Sequence, residues 1–365
     1  MHPLAKFFLK KELRKMKLTT TTIGAYPKPD YMPVFDWFQL EAGKNPDCFT
    51  NLYDGAMKEM GENAEKIFLR AAKDVISDQL KVGIDIPTDG EVRRENYIHY
   101  HCRHLDGIDF KKLTRTDIRN SSHNVLLPTI TGPVQSRESF LPHDWQAAQS
   151  FSDRPVKVTL PGPMTIGDTV ADSFYDDPVL RGADLAKALN TEVLALAKAG
   201  CTQIQIDEPV FARRIGEALN YGFSQLESCF EGLPDNVTRS VHMCCGYPER
   251  LDLSDYPKAP KECYFELADA IEASCIDAVS IEDAHRQNDL ILLKAFKTTK
   301  VILGVVCVAR SQVESVDEIQ DRLRAALKYI DSERLIAAPD CGLGLLGRKL
   351  ALSKLKNLCQ AVQSL

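Results

Sequence analysis

The chain has 365 residues, of which 45 are Lys or Arg and 51 are Asp or Glu, so its formal net charge is −6. A mildly acidic chain is a poor candidate for binding nucleic acid, because attraction to phosphates needs an excess of basic residues. No run of about 18 apolar residues occurs, which excludes a membrane-spanning helix, and an apolar content of 44% excludes a disordered chain. We therefore expect a globular protein with a full core and with neither a nucleic-acid nor a membrane partner.

Residues 1–17 form a basic N-terminal segment. Its apolar stretch is short and no small-residue cleavage site follows, so it does not fit a secretory signal. The 11 cysteines are spread over the chain and are odd in number, and without a secretory signal we expect them to be reduced thiols. We predict a cytoplasmic protein in which a solvated tail, residues 1–17, precedes one catalytic domain, residues 18–365.

Short apolar and β-branched runs alternate with helical patterns along the chain. The predicted strands are residues 20–24, 84–88, 156–160, 203–206, 239–243, 278–281, 301–306 and 335–338. The predicted helices are residues 65–81, 183–199, 211–219, 288–296, 316–329 and 349–362. Strands that alternate with helices predict a parallel sheet, because each helix returns the chain to the same edge. Eight such strands in a chain of this length predict an α/β fold of the closed (β/α)₈ TIM-barrel type.

An open doubly wound sheet is the alternative arrangement. It typically has a glycine-rich phosphate-binding turn after its first strand, and Gly24-Ala-Tyr-Pro is not such a turn. Residues 92–155 interrupt the alternation, with turn signals between apolar runs. We predict that they form an insertion after strand two, with a hairpin above the barrel.

Reactive residues follow the predicted strands at their carboxyl ends, where the chemistry of barrel enzymes takes place. His242 and Cys244 are two positions apart at the end of the fifth strand, so their side chains point to the same side. Glu282 follows the sixth strand and Cys341 follows the eighth. One imidazole, two thiolates and a carboxylate form a donor set that suits zinc. The sequence therefore predicts a metal site made of these four residues.

Two further carboxylates, Glu91 and Asp207, follow the second and fourth strands. They are candidates for binding a substrate ammonium group or for acting as catalytic acid and base. A metal-dependent hydrolase is a less suitable reading of the site, since such enzymes favour histidine and carboxylate ligands over two cysteines. His99, His101 and His104 are interpreted as surface or local packing groups.

Eight motifs in chain order resemble the catalytic domain of cobalamin-independent methionine synthase. They are Thr19-Thr-Thr-Thr-Ile-Gly-Ala, Asp89-Gly-Glu-Val-Arg-Arg, Leu105-Asp-Gly, Leu160-Pro-Gly-Pro-Met-Thr-Ile, Ile204-Gln-Ile-Asp-Glu-Pro, His242-Met-Cys, Val279-Ser-Ile-Glu and Pro339-Asp-Cys-Gly-Leu. The resemblance covers residues 18 to 345 and corresponds to the short, single-domain form of the family. It implies a TIM barrel and a zinc-dependent S-methyltransferase that forms methionine by moving a methyl group to the thiol of homocysteine.

The resemblance also implies roles for individual residues. Zinc is held by the residues at 242, 244, 282 and 341, and homocysteine lies near the turn Ile23-Gly24-Ala25, with Glu91 and Asp207 around its ammonium group.

Two positions depart from the longer members of the family. Ala309 stands where those proteins have a histidine for proton transfer, and Thr169 stands where they have a tryptophan that stacks on folate. The methyl donor therefore stays open between methyltetrahydrofolate and another methyl source. Two alternatives also stay open: a zinc-dependent thiol alkyltransferase with a different thiol or electrophile, and a non-catalytic protein that binds a metal or metabolite.

Overall fold

The structure is a computed structural model that describes residues 18–34, 49–118 and 123–365. The basic segment at residues 1–17 lies outside this part of the chain. The strands are β1 Thr19–Thr20, β2 Leu105–Ile118, β3 His123–Ser136, β4 Val158–Pro161, β5 Ala171–Asp172, β6 Gln203–Asp207, β7 Thr238–Met243, β8 Ala278–Ile281, β9 Lys300–Val306 and β10 Leu335–Pro339. The α-helices are α1 Phe49–Met60, α2 Ala64–Val82, α3 Tyr97–Cys102, α4 Leu141–Gln149, α5 Pro163–Thr169, α6 Pro178–Ala199, α7 Pro209–Arg213, α8 Ile215–Glu217, α9 Phe223–Cys229, α10 Cys263–Ala273, α11 Val316–Ala326 and α12 Arg348–Gln363.

Seven strands form a curled parallel sheet in the order β1-β10-β9-β8-β7-β6-β4. All of its neighbouring pairs are parallel, as the alternation of strands and helices predicts. The strands from β6 to β10 follow chain order, and helices pack outside them. The predicted α/β class with a parallel sheet is therefore confirmed.

The segment at residues 84–88 contacts both edges of this sheet. Ile86 forms an isolated parallel bridge with Thr21, and Thr88 forms another with Lys157, directly before β4. The backbone amide of Ile86 donates to Thr20 at 3.0 Å, and that of Lys157 donates to Pro87 at 2.9 Å. The segment predicted as the second strand thus lies between β1 and β4, although its pairing is limited to these bridges.

The long helix α6 shows how local sequence sets an element of the outer layer. The Asp177 side chain accepts from the amide of Val179 and caps the first turn, which Pro178 opens. Gly200 ends the helix in a left-handed conformation, with a φ of 107°. Apolar residues at helical spacing are buried on one face, namely Leu185, Leu189, Val193 and Leu196.

Residues 92–155 contain α3, the antiparallel hairpin of β2 and β3, and α4. Strand β5 adds to the hairpin in parallel and completes a second, three-stranded sheet. This sheet stands apart from the curled sheet and supplies residues to the cavity described below. Among the described residues, no helix combines the length and apolar character needed to cross a membrane.

Two predicted helices differ from the observed ones. The pattern at 211–219 is divided into α7 and α8, because Arg214 adopts non-helical angles between them. The break allows Arg213 and Arg214 both to donate to Asp168 of α5, at 3.3 and 2.6 Å. The pattern at 288–296 yields only a 3₁₀ turn, Leu290–Lys294, which the Asp289 side chain caps.

Candidate metal and substrate site

Three soft donors meet where β7 and β10 end. His242 lies in β7, Cys244 follows that strand by one residue, and Cys341 follows β10 by two. One ligand atom from each residue lies within 4.8 Å of the others. His242 Nε2 is 3.3 Å from Cys341 Sγ. The parallel register of the sheet therefore brings together side chains that are separated by up to 99 residues in sequence.

Glu282 joins this group from the end of β8. Its Oε1 accepts from Cys244 Sγ at 3.0 Å and from the amide of Cys245 at 3.2 Å. Its Oε2 forms an ion pair with Lys258 Nζ at 2.5 Å. Burial opposes the charge of Lys258, but Glu282 and Cys244 together raise the pKa of that amine. Glu282 is thus held between a thiol and an ammonium group.

The spacing of these donors fits a small tetrahedral cation. An ion with bond lengths of about 2.0–2.3 Å separates its ligand atoms by about 3.3–3.8 Å. The 3.3 Å contact between His242 Nε2 and Cys341 Sγ lies in that range, and the ligand atoms of His242, Cys244 and Cys341 all lie within 4.8 Å of one another. Glu282 is outside this group of three and contacts it through Cys244 at 3.0 Å. His242 Nδ1 is engaged with Ser280 Oγ at 2.9 Å, which leaves Nε2 as the free ligand atom. Burial lowers the pKa of His242 to about 3, so the imidazole is neutral, as a metal ligand must be.

The surroundings of Cys244 disfavour the thiolate form of its side chain. Its hydrogen bond with Cys341 and its burial both raise its pKa. Two thiols packed against a carboxylate and an imidazole have little stabilisation for a second negative charge. A cation at their centre would supply that stabilisation, which is the condition that thiolate ligands require.

Two buried carboxylates lie on another part of the same rim. Glu91 Oε1 accepts from Thr159 Oγ1 at 2.8 Å and lies 3.4 Å from Arg94 Nη1. Asp207 Oδ1 accepts from Gln205 Nε2 at 2.7 Å. Burial raises the pKa of both acids, the charge of Glu91 raises that of Asp207 further, and the charge of Asp89 raises that of Glu91. An ammonium ion bound between them would relieve this repulsion.

The backbone at Glu91 is unusual, because this residue has a φ of 57°. A left-handed conformation is uncommon outside glycine and costs free energy. It follows Gly90, whose φ is 69° and whose absent side chain leaves room for Val75 and Tyr26. The sharp turn directs the Glu91 carboxylate toward Gly24, since a Cβ on Gly24 would lie only 2.6 Å from Glu91 Oε1.

The turn at residues 23–25 is fixed by two side chains and one backbone amide. The Ile23 carbonyl accepts from Gln205 Nε2 at 2.8 Å, and the Gly24 carbonyl accepts from Thr88 Oγ1 at 2.7 Å. The Ala25 carbonyl accepts from the amide of Leu343, two residues after Cys341. The turn is therefore connected both to the carboxylates and to the metal-type cluster.

One cavity of about 500 Å³ joins these groups. Its lining includes eight of the predicted site residues, namely Ile23, Gly24, Ala25, Glu91, Asp207, His242, Cys244 and Cys341. Glu282 is not part of the lining and contacts Cys244 from behind. The two predicted clusters thus face one space, which is large enough for an amino acid and part of a second reactant.

The inserted segment and its neighbour α5 line another part of the cavity, called the far half here. The hairpin contributes Val125 and Leu127 to it, and α3 contributes His99. His99 is buried, which agrees with local packing and not with a surface position, and its Nε2 donates to the carbonyl of Thr169, which also lines the cavity, at 3.0 Å. Tyr97 of α3 lies nearer the predicted site, since burial and then the charges of Asp207, Cys341 and Cys244 raise its pKa. Val125, Leu127 and Tyr97 were not predicted because the inserted segment has no regular relation to the strand ends.

Glu208 secures the wall of the cavity that α5 forms. Its carboxylate accepts from the amides of Met164 and Thr165 at 2.9 and 3.1 Å, and from Thr165 Oγ1 at 2.7 Å. These bonds satisfy amides of the first helical turn, which have no partner within the helix. Thr165 and Asp168 of this helix face the cavity.

Comparisons with known proteins identify the family of the chain. The family described as "Cobalamin-independent synthase, Catalytic domain" matches residues 18–364. Methionine synthase of Sulfolobus acidocaldarius is 29% identical over 344 residues, covering 93% of this chain and 90% of the relative. Methionine synthase of Saccharolobus solfataricus is 30% identical over 349 residues, with 95% and 94% covered.

Solved structures show the same relation. A B12-independent methionine synthase from Shewanella sp. W3-18-1, solved in complex with selenomethionine, superimposes with a TM-score of 0.81 at 30% identity, covering 95% of this chain and 97% of that one. A methyltransferase from Methanosarcina mazei shares the fold, with a TM-score of 0.59 at 12% identity. The prediction of an enzyme of the methyltransferase class is confirmed. The chain belongs to the family of cobalamin-independent synthase catalytic domains.

Proposed function

We propose that this protein is a zinc-dependent methyltransferase that moves a methyl group to the thiol of homocysteine and forms methionine. The observation that carries the proposal is the single cavity, in which a His–Cys–Cys cluster faces two buried carboxylates and a fixed turn. Relatives along almost the whole chain are named methionine synthase. A soft metal site beside an ammonium pocket suits a substrate that carries a thiol and an α-amino group.

Zinc would be held by His242, Cys244, Cys341 and Glu282. When bound, zinc supplies the positive charge that keeps a substrate sulfur ionised at neutral pH and therefore nucleophilic. Glu282 gives up its contact with the Cys244 thiol as that thiol loses its proton. Lys258 keeps its ion pair with the other oxygen of Glu282 and so limits the movement of the carboxylate.

The amino-acid end of the substrate would lie between Glu91, Asp207 and the turn at residues 23–25. Thr159 and Arg94 hold the Glu91 carboxylate, and Gln205 holds Asp207, so neither acid has to reorganise when an ammonium group arrives. Fixing one end of the substrate places its sulfur at the cluster, and such positioning is a large part of catalysis in a transfer between two bound reactants.

The methyl donor would bind in the far half of the cavity, between the hairpin and α3. Thr169 offers no aromatic surface at the position where the longer members of the family have a tryptophan, although His99 lines the same part of the cavity. A donor other than methyltetrahydrofolate is the second candidate, and the threonine at this position favours it. A screen of folate, cobalamin and sulfonium methyl sources, with methionine as the product measured, decides between them.

We also propose that residues 18–365 form one closed (β/α)₈ barrel. The bridges that residues 84–88 form with both sheet edges support this view, and residues 92–155 are then its insertion after the second strand. A cytoplasmic location is proposed from the sequence.

The metal assignment is tested with Cys341→Ser and a matched control, Cys359→Ser, whose thiol is buried in α12. We expect Cys341→Ser to bind zinc about 100-fold more weakly, because a hydroxyl is a poor ligand for this ion. Formation of methionine should be lost in parallel, while Cys359→Ser keeps both properties. Unchanged zinc content and activity in Cys341→Ser would contradict the proposed function.

A further inference from the structure

Gln205 connects two parts of the ammonium pocket through a single amide group. It lies in β6 two positions before Asp207, so both side chains point to the same side of the sheet. Gln205 Nε2 donates to the Ile23 carbonyl at 2.8 Å and to Asp207 Oδ1 at 2.7 Å. The turn and the carboxylate are therefore held at a constant separation by one side chain with no exposed surface.

Lys157 determines which way this amide points. Its Nζ donates to Gln205 Oε1 at 2.6 Å. A reversed amide would direct Nε2 at the lysine amine, and Oε1 at two acceptor groups, so all three contacts would become repulsive. The interaction with Lys157 thus selects the orientation in which Gln205 donates to the pocket.

Lys157 also acts on the site through its charge. Burial has the larger effect, raising the pKa of Asp207 and lowering that of His242, and the charge of Lys157 lowers both. The Lys157 side chain is buried, with 2% exposed, and no carboxylate of the described residues lies within ion-pair distance of it. Burial lowers the pKa of Lys157 to about 7. Burying an amine costs free energy unless the amine forms a hydrogen bond, and here that bond is the one to Gln205. The amine donates to Gln205 in either protonation state, so the arrangement does not depend on its charge.

We propose that Gln205, oriented by Lys157, is a positioning residue that makes the cavity select ligands carrying an α-amino group. It does so by holding the Ile23 carbonyl and the Asp207 carboxylate in the geometry that an ammonium ion requires. This inference rests on the proposed function, because it assumes that the ligand is an amino acid.

The test compares L-methionine with 4-(methylthio)butanoate, which lacks only the amino group. Binding of each is measured by calorimetry in the wild type, in Gln205→Met and in Lys157→Met/Gln205→Met. The double variant removes both buried polar partners together, which is less disruptive than leaving one without the other. Gln320→Met is the control, since it removes a buried amide that bonds to Ala361, Ser364 and Arg324, none of which lines the cavity.

We expect the wild type and Gln320→Met to prefer L-methionine by about 10- to 100-fold, the worth of a charged hydrogen bond. Both Gln205 variants should reduce this preference to less than about threefold, chiefly through weaker binding of L-methionine. In turnover, the KM for homocysteine should rise while kcat changes by less than about threefold.

Two results would overturn the inference while leaving the proposed function intact. One is a wild-type preference in both variants, and the other is an equal loss of affinity for both ligands, which indicates a merely structural role. A wild type that binds L-methionine no better than the analogue, and forms no methionine, would instead remove the proposed function and this inference with it.

Discussion

The replacement Gly24→Ala tests the close packing at the amino-acid end of the cavity. An added Cβ would lie 2.6 Å from Glu91 Oε1, whereas ordinary contact begins near 3.4 Å, so the carboxylate must retreat by about 0.8 Å. Thr159 and Arg94 hold that carboxylate, and the Cβ would also contact Thr159 at 3.5 Å. A shift of this size breaks a hydrogen bond of ordinary length to a substrate ammonium group. The loss corresponds to about 1.5–3 kcal/mol, or roughly 10- to 100-fold in KM for homocysteine.

The assay is steady-state formation of methionine over a range of homocysteine concentrations, with zinc content measured on the same samples. We expect kcat at saturating homocysteine to stay within about threefold of the wild type, since the cluster around Cys244 is untouched. Gly216→Ala is the control, because nothing lies within 4 Å of a Cβ at that position. A KM for Gly24→Ala within about twofold of the wild type would refute the reasoning from this contact.

Two further predictions concern stability. Burial raises the pKa of Glu208 from 4.5 to about 8. The folded state therefore binds this proton more tightly than the unfolded state does. The stability that the protonated group contributes is fully present below pH 4.5 and is lost as the pH rises to about 8. Urea denaturation should show that Glu208→Gln lacks this fall, and parallel pH profiles for both proteins would contradict the prediction. Arg322→Ala leaves the fully buried Asp283 without its bidentate partner and should cost about 3–5 kcal/mol. Arg324→Ala, which removes an exposed pair, should cost less than about 1 kcal/mol, and equal losses in the two variants would contradict the argument.

Much of the candidate site follows from the sequence because strands impose simple rules. Alternating strands and helices predict a parallel sheet, and a parallel sheet places all carboxyl ends at one edge. That rule alone brings His242, Cys244 and Cys341 together, and the structure has their ligand atoms within 4.8 Å. The same rule places Glu91 and Asp207 at the rim of the same cavity. Assignment of these residues to a metal and a substrate stays a prediction until the variants are measured.

Other features depend on contacts that no local pattern encodes. Lys258 lies in a loop without regular structure, yet it forms an ion pair with Glu282. Lys157 and Gln205 have the pattern of ordinary strand residues, and only the tertiary structure brings the Lys157 amine to the Gln205 amide and that amide to the Ile23 carbonyl. The alternation of strands and helices also predicts a more regular second strand than the structure has, since residues 84–88 form only isolated bridges. The helical pattern at residues 211–219 likewise predicts a longer continuous helix than is observed, because the ion pairs of Asp168 with Arg213 and Arg214 outweigh helix propensity.

The hairpin of β2 and β3 is structurally separate from the residues proposed to bind the metal and the amino acid. It brings Val125 and Leu127 to the far half of the cavity but contributes no residue to the cluster of thiols or to the carboxylate pair. Its strands pair with each other and with β5 rather than with the curled sheet. If the proposed function holds, substitutions or length changes in this arm would alter the side of the cavity proposed for the methyl donor and leave the residues proposed for homocysteine unchanged. Exchanging the arm between relatives would then be a route to engineering donor preference.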